Sequence, residues 1–398
     1  MTTNSIGPLE NLAKALSSKS GGPVLNPTDV RPRGYIGAMG KATGKISVAS
    51  LFAGAGGLDL GFSKAGFNVP WANEFDKDIW ASYEKNFPET TLDRRSITKV
   101  EPENIPDVQG FIGGPPCQSW SEAGAARGIE DQRGQLFWEY LRLIEAKRPH
   151  FFLAENVSGI LFNRHNNAFQ EILQSFAKLG YNVSYGLLNA NNYGVPQDRE
   201  RVIIVGFRVE LDTFFSPPRG GSSKPNLSDA IGDLAKSAVP ALEGNRSNNN
   251  RKLLNHEYLV GGFSSMYMSR NRVRDWDQPS FTIQAGARHA PLHPQAPRME
   301  KIDKDEWRFR TGKEHLYRRL SVRECARVQT FPDSYEFIYD KVADGYKMIG
   351  NAVPVEFARR LGEKILEDVD FTVAINQSRK SVGEVLTFDE VSQEERAA

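Results

Sequence analysis

Ile46-Ser47-Val48-Ala49-Ser50-Leu51-Phe52, continued by Ala53-Gly54-Ala55-Gly56-Gly57-Leu58, is the stretch on which the reading of the fold turns. A short apolar run that ends in glycines and then opens an amphipathic segment reads as strand, tight turn and helix. Glycines in such a turn let the backbone approach a ligand closely, and the start of the following helix favours the ligand's negative end. Glu74 closes the next apolar run, where a carboxylate can bind the hydroxyls of a ribose. Together these features point to an adenosine-containing cofactor. A glycine-rich first turn serves nicotinamide, flavin and S-adenosylmethionine enzymes alike, and tight turn packing alone gives the same pattern, so the spacing does not choose among them.

Working outward, the apolar runs Ile46–Phe52, Phe67–Asn73, Gly110–Gly113, His150–Asn156, Asn182–Leu188 and Arg201–Phe207 read as strands. Between them lie helical patterns. The clearest covers Gly134–Arg148, with Leu136, Phe137, Tyr140, Leu141 and Ile144 on one face and Pro149 as its stop. This alternation predicts an α/β fold, a Rossmann-like large domain with a mostly parallel sheet and helices on both sides. After Phe207 the rhythm breaks. Residues 210–313 hold Pro, Gly, Asn and Arg among short strand-like pieces such as Ser280–Gln284, and are expected to form a second, smaller, irregular domain. Helical patterns return at Ser321–Gln329 and Val355–Val369, so the large domain is expected to comprise 46–209 and 314–370. Residues 1–45 read as a weakly ordered leader and 371–398 as a polar tail.

The 398 residues, 39% hydrophobic and 25% charged, suit a large domain plus a smaller one. No apolar run approaches the ~18 residues of a membrane span, and the first 30 residues carry no signal-peptide core, so a cytoplasmic protein is expected. Two cysteines, Cys117 and Cys325, can neither build a disulfide framework nor close a zinc site, and no metal is expected. The net charge of +1 hides a local excess: between Ser264 and Arg327 there are 14 Lys/Arg against 8 Asp/Glu. That stretch is the candidate for contact with a polyanion, although a solvated face has the same composition.

Gly113-Gly114-Pro115-Pro116-Cys117-Gln118 follows a strand directly. The two prolines stiffen the loop and hold the thiol at the carboxyl edge of the sheet, beside the cofactor crevice. A lone cysteine is more often an inert buried hydrophobe. A polar loop containing Ser119, Ser121 and Arg127 is a poor place to bury one, and a thiolate there would be nucleophilic. Cys325, within an amphipathic helical pattern, is expected in the core.

The ordered set FAGAGGLDLGF (Phe52–Phe62), GGPPCQSWS (Gly113–Ser121), AENV (Ala154–Val157), QDRERV (Gln197–Val202), RLSVRECARVQTFPD (Arg319–Asp333) and GNAVP (Gly350–Pro354) resembles the motif series of the cytosine-5 DNA methyltransferases. It spans Ser47 to about Leu366, with a variable region between the fourth and fifth motifs. The segments SRNRVR (Ser269–Arg274), HPQAP (His293–Pro297) and GKEHLYRRL (Gly312–Leu320) resemble the HaeIII-type bacterial modification methylases more closely still.

The resemblance implies a role for each position. Cys117 would attack carbon 6 of a cytosine flipped out of the duplex. Glu155 would hydrogen-bond ring nitrogen 3 and the exocyclic amine, in a dry pocket at the end of the apolar strand Phe151-Phe152-Leu153 that helps a carboxyl keep a proton. Arg199 and Arg201, two apart at the start of a strand, would share a side and hold the base oxygen and its phosphates. Phe52, Gly54, Gly56, Glu74, Phe75, Pro116 and Asn351 would bind S-adenosylmethionine. The third motif departs from the family: where an acidic residue receives the adenine amino group, this chain has Ser96, with Asp93 close by as a substitute.

In the variable region, Arg270 and Arg272 on an apparent strand, with Arg288, are the expected guanine readers, since a guanidinium fork matches the two acceptors on guanine's major-groove edge. Ser121 is a further expected DNA contact. The implied target is double-stranded DNA at GGCC with the inner cytosine methylated, by a monomer at the nucleoid of a prokaryotic cell paired with a cognate restriction endonuclease. The rivals are a same-fold transfer-RNA methyltransferase, a catalytically inactive DNA-binding regulator and a nicotinamide dehydrogenase. The last leaves Cys117 and GNAVP unexplained.

Overall fold

A computed structural model describes residues 45–116, 135–221, 224–248, 253–373 and 381–388. Seven strands, β1 (Ser47–Leu51), β2 (Asn68–Asn73), β3 (Thr91–Asp93), β4 (Gly110–Gly113), β5 (Phe151–Val157), β6 (Tyr181–Asn189) and β7 (Glu200–Arg208), form a sheet with an eighth from the tail, Val385–Thr387. Taking the tail strand first, the order is tail, β6, β7, β5, β4, β1, β2, β3. β7 runs antiparallel to both neighbours, whereas every other pairing is parallel.

Two apolar layers clothe the sheet, and the pleat assigns residues to them alternately. Val48, Ile112, Phe151 and Leu153 face one layer with helix α1 (Gly57–Ala65). Ala49, Phe111, Phe152 and Ala154 face the other with helices α2 (Gln135–Lys147) and α3 (Asn166–Lys178). The first layer is completed from far along the chain by helix α4 (Val355–Asp368), through Phe357, Ala358 and Leu361. Gly61 permits this: a Cβ there would stand 2.6 Å from the Val355 carbonyl oxygen and would collide with the Ala358 methyl. The architecture is the expected Rossmann-like α/β fold.

Residues 210–313 add only small pieces outside the large sheet. Val239–Pro240 pairs with Glu257–Tyr258, and Glu300–Asp303 with Glu306–Arg308. A separate apolar cluster holds Tyr267, Val273, Leu292, Ala296, Met299 and Tyr317. The strand expected at Ser280–Gln284 is not formed. Ser280 makes one isolated bridge to Gln197, and the Ile283 amide donates to the Gln197 side chain (2.8 Å), where a ladder would need backbone. Among the described residues no helix is long and apolar enough to cross a membrane. Cys325 is fully buried, and burial pushes its thiol well above the ordinary range, which suits core packing.

Candidate active site

Where β1 ends, the chain turns through Phe52 (φ 56°), Gly54 (φ 56°) and Gly56 (φ 68°) before α1 begins. The turn forms one wall of a cavity of about 490 Å³. Glu74, at the end of β2, closes a second wall: one carboxylate oxygen accepts from the Gly54 amide (2.8 Å) and the other from the Asp76 amide (2.7 Å). Burial raises the Glu74 pKa, and those two amide hydrogen bonds oppose the rise. Phe75 beside it is 69% exposed, an aromatic face at the cavity mouth with no cover.

Two further walls come from Gly113–Pro116 and from Glu155–Val157. The Asn156 amide donates to the Pro115 carbonyl (3.2 Å) and so ties the proline loop to the end of β5. A Cβ on Gly114 would stand 3.4 Å from Glu155 Oε2, so the absence of a side chain leaves room beside that carboxylate. Arg201 Nε lies 2.8 Å from Glu155 Oε1, both side chains only about a tenth exposed. Pairing keeps Glu155 fixed at the cavity wall, and among the described residues no donor occupies its second oxygen. The remaining wall is Asn351-Ala352-Val353.

One cavity therefore gathers Phe52, Gly54, Glu74, Phe75, Ser96, Pro116, Glu155 and Asn351. Gly56 does not line it and acts in the turn itself, pressed against the Phe87 and Tyr83 rings. Asp93 does not line it either: its carboxylate is bound by Arg95, which lowers the Asp93 pKa. Ser96 is thus the polar side chain of that segment at the cavity, with its hydroxyl 2.9 Å from that of Thr98. Asn73, which the sequence did not single out, makes the arrangement possible. Its buried amide donates to the carbonyls of Asp93 (2.9 Å) and Arg95 (2.8 Å) and holds the turn that delivers Ser96. Cys117 and Ser121 lie outside the described residues; Pro116, their neighbour in sequence, is at the cavity wall.

Arg199 immediately precedes β7 and is 1% exposed; its guanidinium donates to the carbonyls of Ile283, Gly350 and Ala352, each at 3.0 Å, and it feels the charges of Arg201 and Glu155. One expectation about an arginine is corrected. Arg272 does not stand beside Arg270 on a strand. It folds back over the Tyr267 ring and donates to the Tyr267 (2.8 Å) and Met266 (3.1 Å) carbonyls, whereas Arg270 is exposed. Arg288 is exposed and lines a groove of about 750 Å³ together with His289, Lys341 and Lys347.

A fit to an adenosine-type cofactor is carried by the cavity's donors and spaces. Glu74 presents a carboxylate at the end of the second strand, Gly54 leaves open space where a side chain would project, and an exposed aromatic ring borders the mouth. Comparison with known proteins agrees. The chain is 52% identical over 330 residues to the type II methyltransferase M.NgoPII of Neisseria gonorrhoeae, covering 82% of this chain and 96% of that protein. It is 55% identical over 326 residues to M.MthTI of Methanothermobacter thermautotrophicus, covering 82% and 98%. Among solved structures, the Entamoeba histolytica methyltransferase EhMeth shares the fold at 16% identity with a TM-score of 0.60, over 82% of this chain and 99% of that one. S. pombe Dnmt2 does so at 17% identity with a TM-score of 0.52, over 82% and 100%. The family model of the C-5 cytosine-specific DNA methylases matches residues 46–367, and the chain belongs to that family.

Proposed function

We propose that this methylase is the modification enzyme of a type II restriction-modification system, acting on the inner cytosine of GGCC in double-stranded DNA with S-adenosylmethionine as methyl donor. The observation that carries the reading is the placement of the Arg201–Glu155 pair and the proline loop on the same cavity as Glu74, Phe75 and Asn351. One chamber then holds the donor and receives a base flipped from the duplex. Its two relatives above carry the name type II methyltransferase.

Glu74 would accept from the ribose hydroxyls, Phe75 would cover the adenine and Ser96 would meet its amino group, while Gly54 would leave room for the amino-acid end and Pro116 and Asn351 would close the sides. Bound there, S-adenosylmethionine supplies a methyl group made electrophilic by its sulfonium. The Cys117 thiolate adds to carbon 6 of the cytosine, and a new C–S bond forms as the ring's 5,6 double bond shifts electrons toward carbon 5 and nitrogen 3. Glu155, held by Arg201, provides the proton at nitrogen 3. After carbon 5 is methylated it loses its proton to a base, the 5,6 double bond re-forms as the C–S bond breaks to return Cys117 as thiolate, and the proton at nitrogen 3 returns to the Glu155 carboxylate.

Arg270 and Arg288 are the exposed candidates for guanine contact, Ser121 is a further DNA contact, and the Lys341/Lys347 groove suits the phosphate backbone. Arg272 shapes that surface from below. Bisulfite sequencing of DNA treated with the purified protein tests the target: methylation at the inner cytosine of GGCC is expected, and methylation only at another site rejects the assignment. Tritium transfer to DNA and transfer RNA in parallel excludes the RNA rival if only DNA is labelled. Cys117→Ser abolishes transfer but keeps cofactor binding; full retained activity overturns the mechanism.

A further inference from the structure

Three stretches far apart in the chain meet at one dry point behind the cavity. Arg199 reaches Ile283 with Nη1 and the Gly350 and Ala352 carbonyls with Nη2. These last two flank Asn351, part of the cavity wall. Beside it, Gln197 accepts from the Ile283 amide (2.8 Å) and donates to Gln329 Oε1 (3.0 Å), and Gln329 donates to the Ile349 carbonyl (2.8 Å). Both glutamines are fully buried. Backbone bonds reinforce the seam: Ser280 donates to Pro196 and Asp198 to Ser280, each at 2.9 Å.

A guanidinium placed here is costly. Burial pulls its pKa well below the ordinary value, and the nearby Arg201 charge pulls it further down, with Glu155 opposing. Among the described residues no carboxylate is hydrogen-bonded to it; three carbonyl dipoles compensate it. An apolar side chain would fill the volume more cheaply. The guanidinium adds a rigid fork that holds two separate backbone segments in one geometry.

We infer that Arg199, with Gln197 and Gln329, is a positioning centre that locks the Gly350–Ala352 lip of the cofactor cavity to the root of the 210–313 segment. Cofactor affinity and target discrimination therefore depend on one buried side chain that touches neither ligand. The inference rests on the reading of the cavity as an S-adenosylmethionine site and of 210–313 as the part that recognises DNA.

The test uses the full chain and the variants Arg199→Met, Arg199→Lys and Gln329→Leu. Calorimetric titration with S-adenosylmethionine gives cofactor Kd without DNA. Steady-state kinetics give KM and kcat for both substrates, and the kcat/KM ratio of GGCC to a one-base variant gives discrimination. For Arg199→Met the expected result is roughly a tenfold rise in cofactor Kd together with a fall in the discrimination ratio, both larger than the change in kcat. Arg199→Lys should recover part of both, and Gln329→Leu should reproduce both more weakly. An unchanged cofactor Kd and ratio in Arg199→Met, with loss confined to kcat, would mean that Arg199 contacts the reacting base and overturns the inference. If Arg199→Met does not fold, Gln329→Leu decides by the same two readouts, unchanged values again overturning it. Failure of the functional reading would look different: the wild-type chain itself would neither bind S-adenosylmethionine nor methylate DNA.

Discussion

Replacing Gly54 and Gly56 by alanine, one at a time, separates two reasons for a glycine in the same turn. Both residues hold positive φ, +56° and +68°, which costs an L-residue about 1–2 kcal/mol. Their surroundings differ. A methyl on Gly56 would stand 2.8 Å from Phe87 Cζ and nearer still to Cε2. The Phe87 ring has little freedom to swing away, because it is stacked on Tyr83 at 4.6 Å and lies edge-on to Tyr335 at 6.2 Å. Overpacking of this kind adds about 1–3 kcal/mol. Gly56→Ala is therefore expected to lose about 2–5 kcal/mol, a large part of the ~5–15 kcal/mol that keeps a protein folded. At Gly54 a methyl meets nothing within 4 Å, so the stability loss stays near the ~1–2 kcal/mol of the backbone term. That methyl would occupy cavity space, and cofactor affinity falls instead. Urea denaturation of each variant, with calorimetric titration of S-adenosylmethionine under conditions where both are folded, measures the split. Equal destabilisation by the two variants, or weaker cofactor binding by Gly56→Ala than by Gly54→Ala, would refute the reasoning.

Three other outcomes are expected. Burial pushes the fully buried Asp59 up to about 6 from 3.8, against the Tyr83 hydroxyl bonded to it at 2.8 Å. Because the folded-state value is the higher one, this group's contribution is favourable below pH 4 and is lost as pH rises through 6. The stability of Asp59→Asn relative to wild type should thus grow by about 2–2.5 kcal/mol between pH 4 and pH 7 in denaturant titrations; a flat difference contradicts it. Lys347 pairs with Asp76, a residue of the cofactor cavity, at 2.5 Å and with Asp78 at 3.7 Å. An exposed pair contributes about 0–1 kcal/mol, so Lys347→Met should raise the cofactor KM by up to about fivefold, and added salt should shrink the gap from wild type. Truncation after residue 380 removes the strand Val385–Thr387 and bares the nine-residue β6 edge, and light scattering should then show more self-association than for the full chain.

Much of the fold was legible because six strands carry continuous or alternating apolar runs, and each was placed to within two residues of its observed ends. The antiparallel direction of β7 was not anticipated from its pattern. Only residues 190–199 separate it from β6, too short a link for a helical crossover, so the loop length held the information that the periodicity lacked. The tail strand has three residues and no pattern to distinguish it from a polar tail. Within the site, glycines and Glu74 were readable because their chemistry is tied to strand ends. Asn73 and Asn156 were not, because their work is to hold neighbouring loops through backbone carbonyls, a role that any polar residue near a strand end can have. Arg272 was misplaced because alternation was applied where the chain never enters a strand, and its side chain goes to the Tyr267 and Met266 carbonyls instead.

The packing of α1 on α4, made possible by Gly61, also bears on how the chain is born. Phe62 and Leu58 leave the ribosome about 300 residues before their partners Phe357 and Leu361. At a synthesis rate of about 5–20 residues per second, the apolar stripe of α1 waits on the order of tens of seconds for its cover. During that interval a nascent chain holds much of its sheet but lacks one side of its core. The apolar face of one identifiable helix is thus what the unfinished polypeptide leaves uncovered, and the insertion of 210–313 lengthens the delay.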